Sequence, residues 1–99
     1  MKELNKQEVL TQLDEFKKKN KQKYHIVKLG LFGSLSRDEI HEDSDIDVVV
    51  ELEKPRMFDL IGIKQELEEY FARSVDIVRI RENMNQFLRT RIEREAIFV

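Results

Sequence analysis

The sequence contains no cysteine, two histidines, one proline and three glycines in 99 residues. The absence of cysteine excludes a disulfide scaffold, a thiolate metal site and a cysteine nucleophile. Two histidines make a multi-histidine zinc site improbable. No apolar run approaches the ~18 residues that a membrane-spanning helix needs, and residues 1–6 lack the apolar segment of a signal peptide. We therefore expect a small soluble domain of the cytoplasm, with no membrane contact.

Length and composition predict one domain that spans residues 1–99. Such a length is typical of a single domain, and 40% of the residues are hydrophobic, which is enough for one core. The formal charge is −2, from 18 basic and 20 acidic residues. Direct nucleic-acid binding is not expected, because domains that bind nucleic acids are usually clearly basic.

Charge is unevenly distributed along the chain. Residues 17–23 contain five lysines and no acid, whereas residues 38–53 contain eight acids and neither lysine nor arginine. A run of like charge is usually a solvated face, and we interpret the lysines in that way. The acidic run differs because it leads into a strongly apolar segment, which makes it the first place to look for chemistry.

Hydrophobic periodicity predicts alternating helices and strands. Helices are expected over residues 5–20, 57–71 and 83–95, strands over residues 24–32, 45–52 and 75–80, and a short strand or docked tail over residues 96–99. This order favours an α/β or α+β fold with a small mixed sheet packed against helices. Asn83 is the expected N-cap of the last helix. The expected apolar faces are Val27, Leu29 and Leu31; Ile46, Val48, Val50 and Leu52; Met57, Leu60, Ile63, Leu67 and Tyr70; and Met84, Phe87, Leu88 and Ile92.

Three aspartates suggest a metal site. Asp45 and Asp47 stand two apart in a predicted strand, so their side chains share one face. Adjacent carboxylates raise each other's pKa, a divalent cation removes that cost, and hard oxygen ligands suit Mg²⁺. If the strand that carries Asp76 lies beside this one, three carboxylates converge, as two-metal phosphoryl transfer requires. The alternative is a solvent-facing strand with ordinary acidic positions.

Gly33 and Ser34 directly follow the first predicted strand. Glycine allows a sharp turn and the close approach of a ligand, and exposed backbone amides there can hold phosphate oxygens. Most Gly-Ser pairs are simply turns, and the segment is neither a Walker A loop nor a dinucleotide-binding fingerprint. Arg37 could hold a phosphate, or could form an ion pair with an acid of the acidic run that follows it.

The whole constellation is more specific than its parts. The segments Gly33-Ser34-Leu35-Ser36-Arg37 and Ser44-Asp45-Ile46-Asp47, followed by Asp76, resemble the minimal nucleotidyltransferase (MNT) family of the superfamily related to DNA polymerase β. The resemblance covers most of the chain and implies a palm-like nucleotidyltransferase fold. One position departs from the family pattern, because Asp38 follows Arg37 where the family usually has glycine.

The resemblance also implies residue roles. Gly33 and Ser34, with Arg37, would bind the triphosphate of ATP. Asp45 and Asp47 would ligate two Mg²⁺ ions. Asp76 would complete the metal site nearest the nucleophile and help deprotonate or orient the attacking hydroxyl. These three aspartates are the predicted catalytic and metal-binding residues.

The activity that the resemblance implies is the transfer of AMP from ATP to a protein hydroxyl, a tyrosine of a helical HEPN toxin. The chain would then be a type VII-like antitoxin whose acceptor surface comes from the partner or from a second subunit, in a homo- or hetero-oligomer. Two alternatives stay open: a non-catalytic antitoxin that neutralises its partner by binding, and a small-molecule adenylyltransferase of the aminoglycoside type. The sequence leaves open the acceptor, the base preference, the number of AMP groups transferred, the effect of Asp38 and the assembly state.

Overall fold

A computed structural model describes residues 5–37, 45–54 and 56–99, and in these residues three helices accompany a four-stranded sheet. The elements are α1 (Lys6–Tyr24), β1 (Ile26–Phe32), a 3-10 turn (Ser34–Arg37), β2 (Ile46–Leu52), α2 (Met57–Phe71), β3 (Val75–Arg79), α3 (Gln86–Glu95) and β4 (Ile97–Phe98). The predicted α/β fold is confirmed. No helix in the described part of the chain is both long and apolar enough to cross a membrane.

The sheet is mixed, with the strand order β3-β2-β1-β4. β1 pairs with β2 and with β4 in antiparallel fashion. β2 and β3 are parallel because α2 returns the chain to the edge at which β2 began, as a crossover between parallel strands must. The last residues form a closing strand, one of the two options that the sequence left open.

Helices cover both faces of the sheet. The alternate residues Ile46, Val48 and Val50 of β2 are buried in the larger core with α1 and α2, whereas Val49 is buried on the opposite face with Ile92 of α3. The predicted apolar face of β2 is therefore confirmed. Asp47 shares the α3 face of this strand, because side chains two apart in a strand point the same way.

The predicted face of β1 is wrong at one position. Val27 is 42% exposed, and Ile26 is buried instead. The pairing of β1 with β2 is irregular between Ile26 and Lys28. A β-bulge of this kind breaks the alternation of side chains, so a strictly two-residue pattern assigns Val27 to the wrong face.

The helices also depart from the predicted stripes and boundaries. Met57 and Tyr70 of α2 are 74% and 60% exposed, and Phe87 of α3 is 84% exposed. α1 continues to Tyr24, beyond the predicted end, and α3 begins three residues later than predicted, at Gln86. The N-cap is Asn85 and not Asn83: the Asn85 side chain accepts hydrogen bonds from two backbone amides of the first turn of α3.

Candidate active site

The register of β2 with β3 brings two of the predicted carboxylates together. Asp47 is the direct partner of Asp76 across the parallel pair, and Ile46 and Val48 pair with Val75 and Ile77. Partners in register send their side chains to the same face of a sheet. The sequence predicted that these carboxylates converge only if their two strands are neighbours. The strands are neighbours, and Asp47 and Asp76 lie side by side.

The electrostatics of Asp47 report the charges around it. Burial raises the pKa of the Asp47 carboxyl above its ordinary value, the negative charges of Asp76 and Asp45 raise this pKa further, and Arg37 lowers it. Asp45 is an exposed residue that immediately precedes β2. The pKa of Asp47 thus reflects two other acids and one arginine, which lie near the first residues of β2.

Gly33 forms the turn that faces Asp47. Its φ is 75°, a left-handed conformation that glycine adopts without the cost of a Cβ clash. A Cβ at this position would occupy the space of the Asp47 carboxylate. β1 ends one residue earlier at Phe32, which is the pairing partner of Asp47. Glycine is therefore required here both for the turn and for room beside the acid.

Ser36 stabilises this turn, a role that the sequence reasoning missed. Its hydroxyl donates a hydrogen bond to the Gly33 carbonyl oxygen at 2.6 Å, and its backbone amide donates to the same oxygen at 3.1 Å. Ser36 is buried, with 8% exposure. A serine three residues after a turn glycine is a local signal that could have predicted this bond.

Arg37 links the turn to the end of α3. Its Nη1 atom lies 3.4 Å from Oε1 of Glu95, and Oε2 of Glu95 lies 3.4 Å from Nε of Arg91. Of the two functions considered for Arg37, an ion pair with an acid is present, although the acid comes from α3. Sequence reasoning missed Glu95 because no local pattern connects it with a residue 58 positions away.

Three residues of the predicted motif cannot be placed in this geometry. Asp38 and Ser44 lie outside the described residues, and so does the side chain of Ser34, whose backbone belongs to the 3-10 turn. The site assembled by the described residues therefore consists of Gly33, Arg37 and the three aspartates.

The donor set fits a divalent cation. Within residues 5–37, 45–54 and 56–99, no three His, Cys, Asp or Glu side chains are gathered closely enough to ligate one ion. Like-charged carboxylates repel, so these acids are not expected to close into a ligand set by themselves. Their oxygens are of the hard type that Mg²⁺ prefers, and the raised pKa of Asp47 is a cost that a cation would remove.

Comparison with known proteins identifies the family. The model of the nucleotidyltransferase domain family matches residues 13–99, and the chain belongs to this family. A protein from Methanocaldococcus jannaschii, provisionally named a protein adenylyltransferase, is 37% identical over 78 residues, which cover 78% of this chain and 83% of the relative. The protein adenylyltransferase MntA of Thermococcus cleftensis is 29% identical over 97 residues, or 97% of each chain.

Solved structures share the fold. A structure provisionally described as a minimal nucleotidyltransferase has a TM-score of 0.80 and 31% identity, with 98% of both chains covered. A toxin–antitoxin structure with AMP-PNP matches with a TM-score of 0.72 and 23% identity over 96% of this chain and 72% of that one. A structure of a tri-AMPylated Shewanella oneidensis HEPN toxin in complex with its MNT antitoxin has a TM-score of 0.68 and 20% identity, with 94% and 70% covered. The chain is thus a nucleotidyltransferase of the minimal type.

Proposed function

We propose that this protein transfers AMP from ATP to a hydroxyl group of a partner protein, a tyrosine of a HEPN-type toxin, and thereby acts as a type VII-like antitoxin. Residues 1–99 would act as one minimal catalytic domain. The observation that carries the proposal is the register that pairs Asp47 with Asp76 beside the Gly33 turn. The protein adenylyltransferase names of the relatives and the AMPylated toxin in a structural relative's complex support it.

The three aspartates would hold the metal. We assign Asp45 and Asp47 as ligands of two Mg²⁺ ions, with Asp76 completing the set. Bound Mg²⁺ supplies positive charge that offsets the charge on the triphosphate oxygens. The AMP-PNP complex of a structural relative favours ATP as the nucleotide.

The remaining residues would bind and orient the reactants. Backbone amides of the turn at Gly33 and Ser34 can donate hydrogen bonds to phosphate oxygens, and Arg37 adds a positive charge beside them. Asp76 orients the acceptor hydroxyl and accepts its proton. The hydroxyl oxygen forms a bond to the α-phosphorus, the bond to the β-phosphate oxygen breaks, and pyrophosphate leaves. Positioning and electrostatics supply most of the acceleration in such a transfer.

A transfer assay tests the proposal. The protein is incubated with Mg²⁺, ATP labelled at the α-phosphate, and a purified HEPN-type toxin protein. We expect label on the partner with the wild-type protein and none with an Asp45→Ala, Asp47→Ala double variant. A Glu51→Ala, Glu53→Ala double variant is the matched control, because it removes two acids at the same spacing later in the same segment.

Other outcomes would favour the alternatives. A stable complex that silences the toxin without label on it would contradict transfer and support neutralisation by binding. Label on an aminoglycoside and not on the protein would support the small-molecule enzyme. Retention of the label in the Asp45→Ala, Asp47→Ala variant would contradict the assignment of the site.

A further inference from the structure

A groove runs along the outer edge of the sheet beside α2, and Asp76 is one of its lining residues. We call it the β3-edge groove; its upper part has a volume of about 400 Å³ and is lined by Met57, Ile61 and Lys64 of α2 and by Asp76, Ile77 and Arg79 of β3. A second depression of about 410 Å³ continues it past Arg81 and Met84. Leu60 and Arg79 line both parts, so the two depressions adjoin at these residues.

The apolar side of the groove includes two exposed side chains of α2, and only Met57 of these was predicted to face the core. Met57 is 74% exposed and Ile61 is 45% exposed. Residues four apart lie next to each other on a helix surface, so these two side chains form one apolar strip along the groove. The groove therefore has an apolar side as well as a charged side.

The polar side of the groove is basic, in contrast with the chain as a whole. Lys64, Arg79 and Arg81 line it, and Asp76 is its one acid among the described lining residues. None of these three basic side chains forms an ion pair with another described residue. The chain carries a net charge of −2, so this local positive charge favours an acidic occupant.

The groove also follows the edge strand of the sheet that the described residues form. β3 is the terminal strand of the sheet and has β2 as its neighbour. Terminal strands can accept an extended peptide beside them. An extended segment laid along β3 would pass Arg81 and Arg79 and end beside Asp76. Its side chains would alternate between the two faces of the sheet, so residues in the groove on the α2 face would alternate with residues on the face that Asp76 shares with Asp47.

We propose that the β3-edge groove binds the acceptor segment of the protein substrate, and that this segment carries acidic side chains around its tyrosine. Met57, Ile61 and Ile77 contact the apolar parts of the segment, while Lys64, Arg79 and Arg81 pair with its acids. This inference deepens the proposed function and rests on it. The exposed apolar strip favours a protein segment over a nucleic acid, for which an overall charge of −2 is unsuitable.

The test measures binding without ATP, so that it is independent of transfer. The probes are two fluorescent copolymers of equal length, one of glutamate and tyrosine and one of lysine and tyrosine. We expect the acidic copolymer to bind the wild-type protein about tenfold more tightly at low salt, and the preference to shrink as salt is raised. An equal affinity for both copolymers would overturn the proposal.

Variants on exposed positions localise the binding. Lys64→Glu and a Met57→Ser, Ile61→Ser double variant should each weaken binding of the acidic copolymer by about fivefold or more. Lys18→Glu on α1 is the charge-matched control, since the Lys18 side chain is 75% exposed and lies outside the groove. Tyr70→Ala is the apolar control, because Tyr70 is 60% exposed at the other end of α2. Equal losses in groove and control variants would overturn the assignment, provided that thermal melting shows all variants folded.

Two further outcomes separate this inference from the proposed function. Groove-dependent binding of the acidic copolymer, with no AMP transfer to the HEPN-type protein, would leave the docking site standing and reject the proposed function. A single-stranded RNA that binds in the same groove and displaces the acidic copolymer would overturn the choice of a protein segment.

Discussion

At the scale of single residues, the proposed site gathers negative charge beside the turn at Gly33. Asp47 is the centre of this arrangement, because it pairs with Asp76 and fills the space that Gly33 leaves open. The sequence predicted that these carboxylates converge if their strands are neighbours, and the structure places Asp47 beside Asp76. Glu95 was not predicted, because its contact with Arg37 depends on how α3 packs.

Replacing Asp47 with a neutral residue should raise the stability of the fold and lower the transfer activity. The pKa of Asp47 lies above its ordinary value, so the folded state binds its proton more readily than the unfolded state does. The ionised carboxylate therefore destabilises the fold above the raised pKa, and this cost disappears as the pH falls below the ordinary value of 3.8. In the absence of Mg²⁺ we expect Asp47→Asn to raise the melting temperature at pH 7, and to leave it unchanged near pH 3.

The same Asp47→Asn variant should lose transfer activity by about 100-fold or more, because a metal ligand is removed. Melting curves with and without Mg²⁺, together with the transfer rate, check both expectations. A variant that melts below the wild type at pH 7 without Mg²⁺ would contradict this account of charge at the site.

Replacing Gly33 with alanine should damage the turn. Its φ of 75° costs an alanine about 1–2 kcal/mol, and the added Cβ would meet the Asp47 carboxylate. We expect Gly33→Ala to lower the melting temperature and to reduce the transfer rate by about tenfold or more. Circular dichroism melting and the labelled-ATP assay measure the two effects, and a fully active, equally stable variant would show that the turn does not need glycine.

Glu95 should act through Arg37 and not on the reactants. The Arg37–Glu95 pair is partly exposed, with side-chain exposures of 37% and 24%, so it is a modest orienting contact. We expect Glu95→Gln to raise KM for ATP by about two- to fivefold while kcat changes less. Glu93→Gln is the matched control, because Glu93 pairs with Arg89 at 3.7 Å on the same helix and is 72% exposed. Equal effects of the two substitutions would contradict the role of Glu95.

At the scale of secondary-structure elements, errors arose where a regular pattern was broken. The irregular pairing after Ile26 exposes Val27, and no two-residue alternation can predict a bulge. The outward positions of Met57 and Phe87 follow from the limited cover that a small sheet offers each helix. The β2 strand, by contrast, was predicted well, because both of its faces have strong signals: apolar residues toward α1 and α2, and acids at the site.

The corrected N-cap of α3 gives a prediction at this scale. The Asn85 side chain accepts hydrogen bonds from the amides of Phe87 and Leu88 at 2.9 and 3.2 Å. We expect Asn85→Ala to reduce the free energy of unfolding by about 1 kcal/mol. Asn83→Ala, two residues earlier and outside the helix, should change it by less than about 0.5 kcal/mol. Urea unfolding of both variants measures the difference. A larger loss of unfolding free energy for Asn83→Ala would show that Asn83 is the N-cap, as the sequence suggested.

At the scale of the whole molecule, strand order is what makes the site. The order β3-β2-β1-β4 places Asp76 beside Asp47 and leaves β3 at the edge, where the β3-edge groove approaches. This order could not be predicted from periodicity, because periodicity identifies strands and not their neighbours. Only the resemblance to the minimal nucleotidyltransferases suggested that the strands of Asp47 and Asp76 are neighbours. The register of β2 with β3 shows that they are.

The most direct test of the central claim compares ATP labelled at the α-phosphate with ATP labelled at the γ-phosphate, using the HEPN-type partner, Mg²⁺ and either wild-type protein or Asp76→Asn. If AMP is transferred at the site of the three aspartates, the α-label appears on the partner and the γ-label does not. Chelation of Mg²⁺ abolishes the signal, and Asp76→Asn reduces the rate by about 100-fold or more. Label on the partner from the γ-phosphate, or an Asp76→Asn rate equal to that of the wild type, would contradict the account.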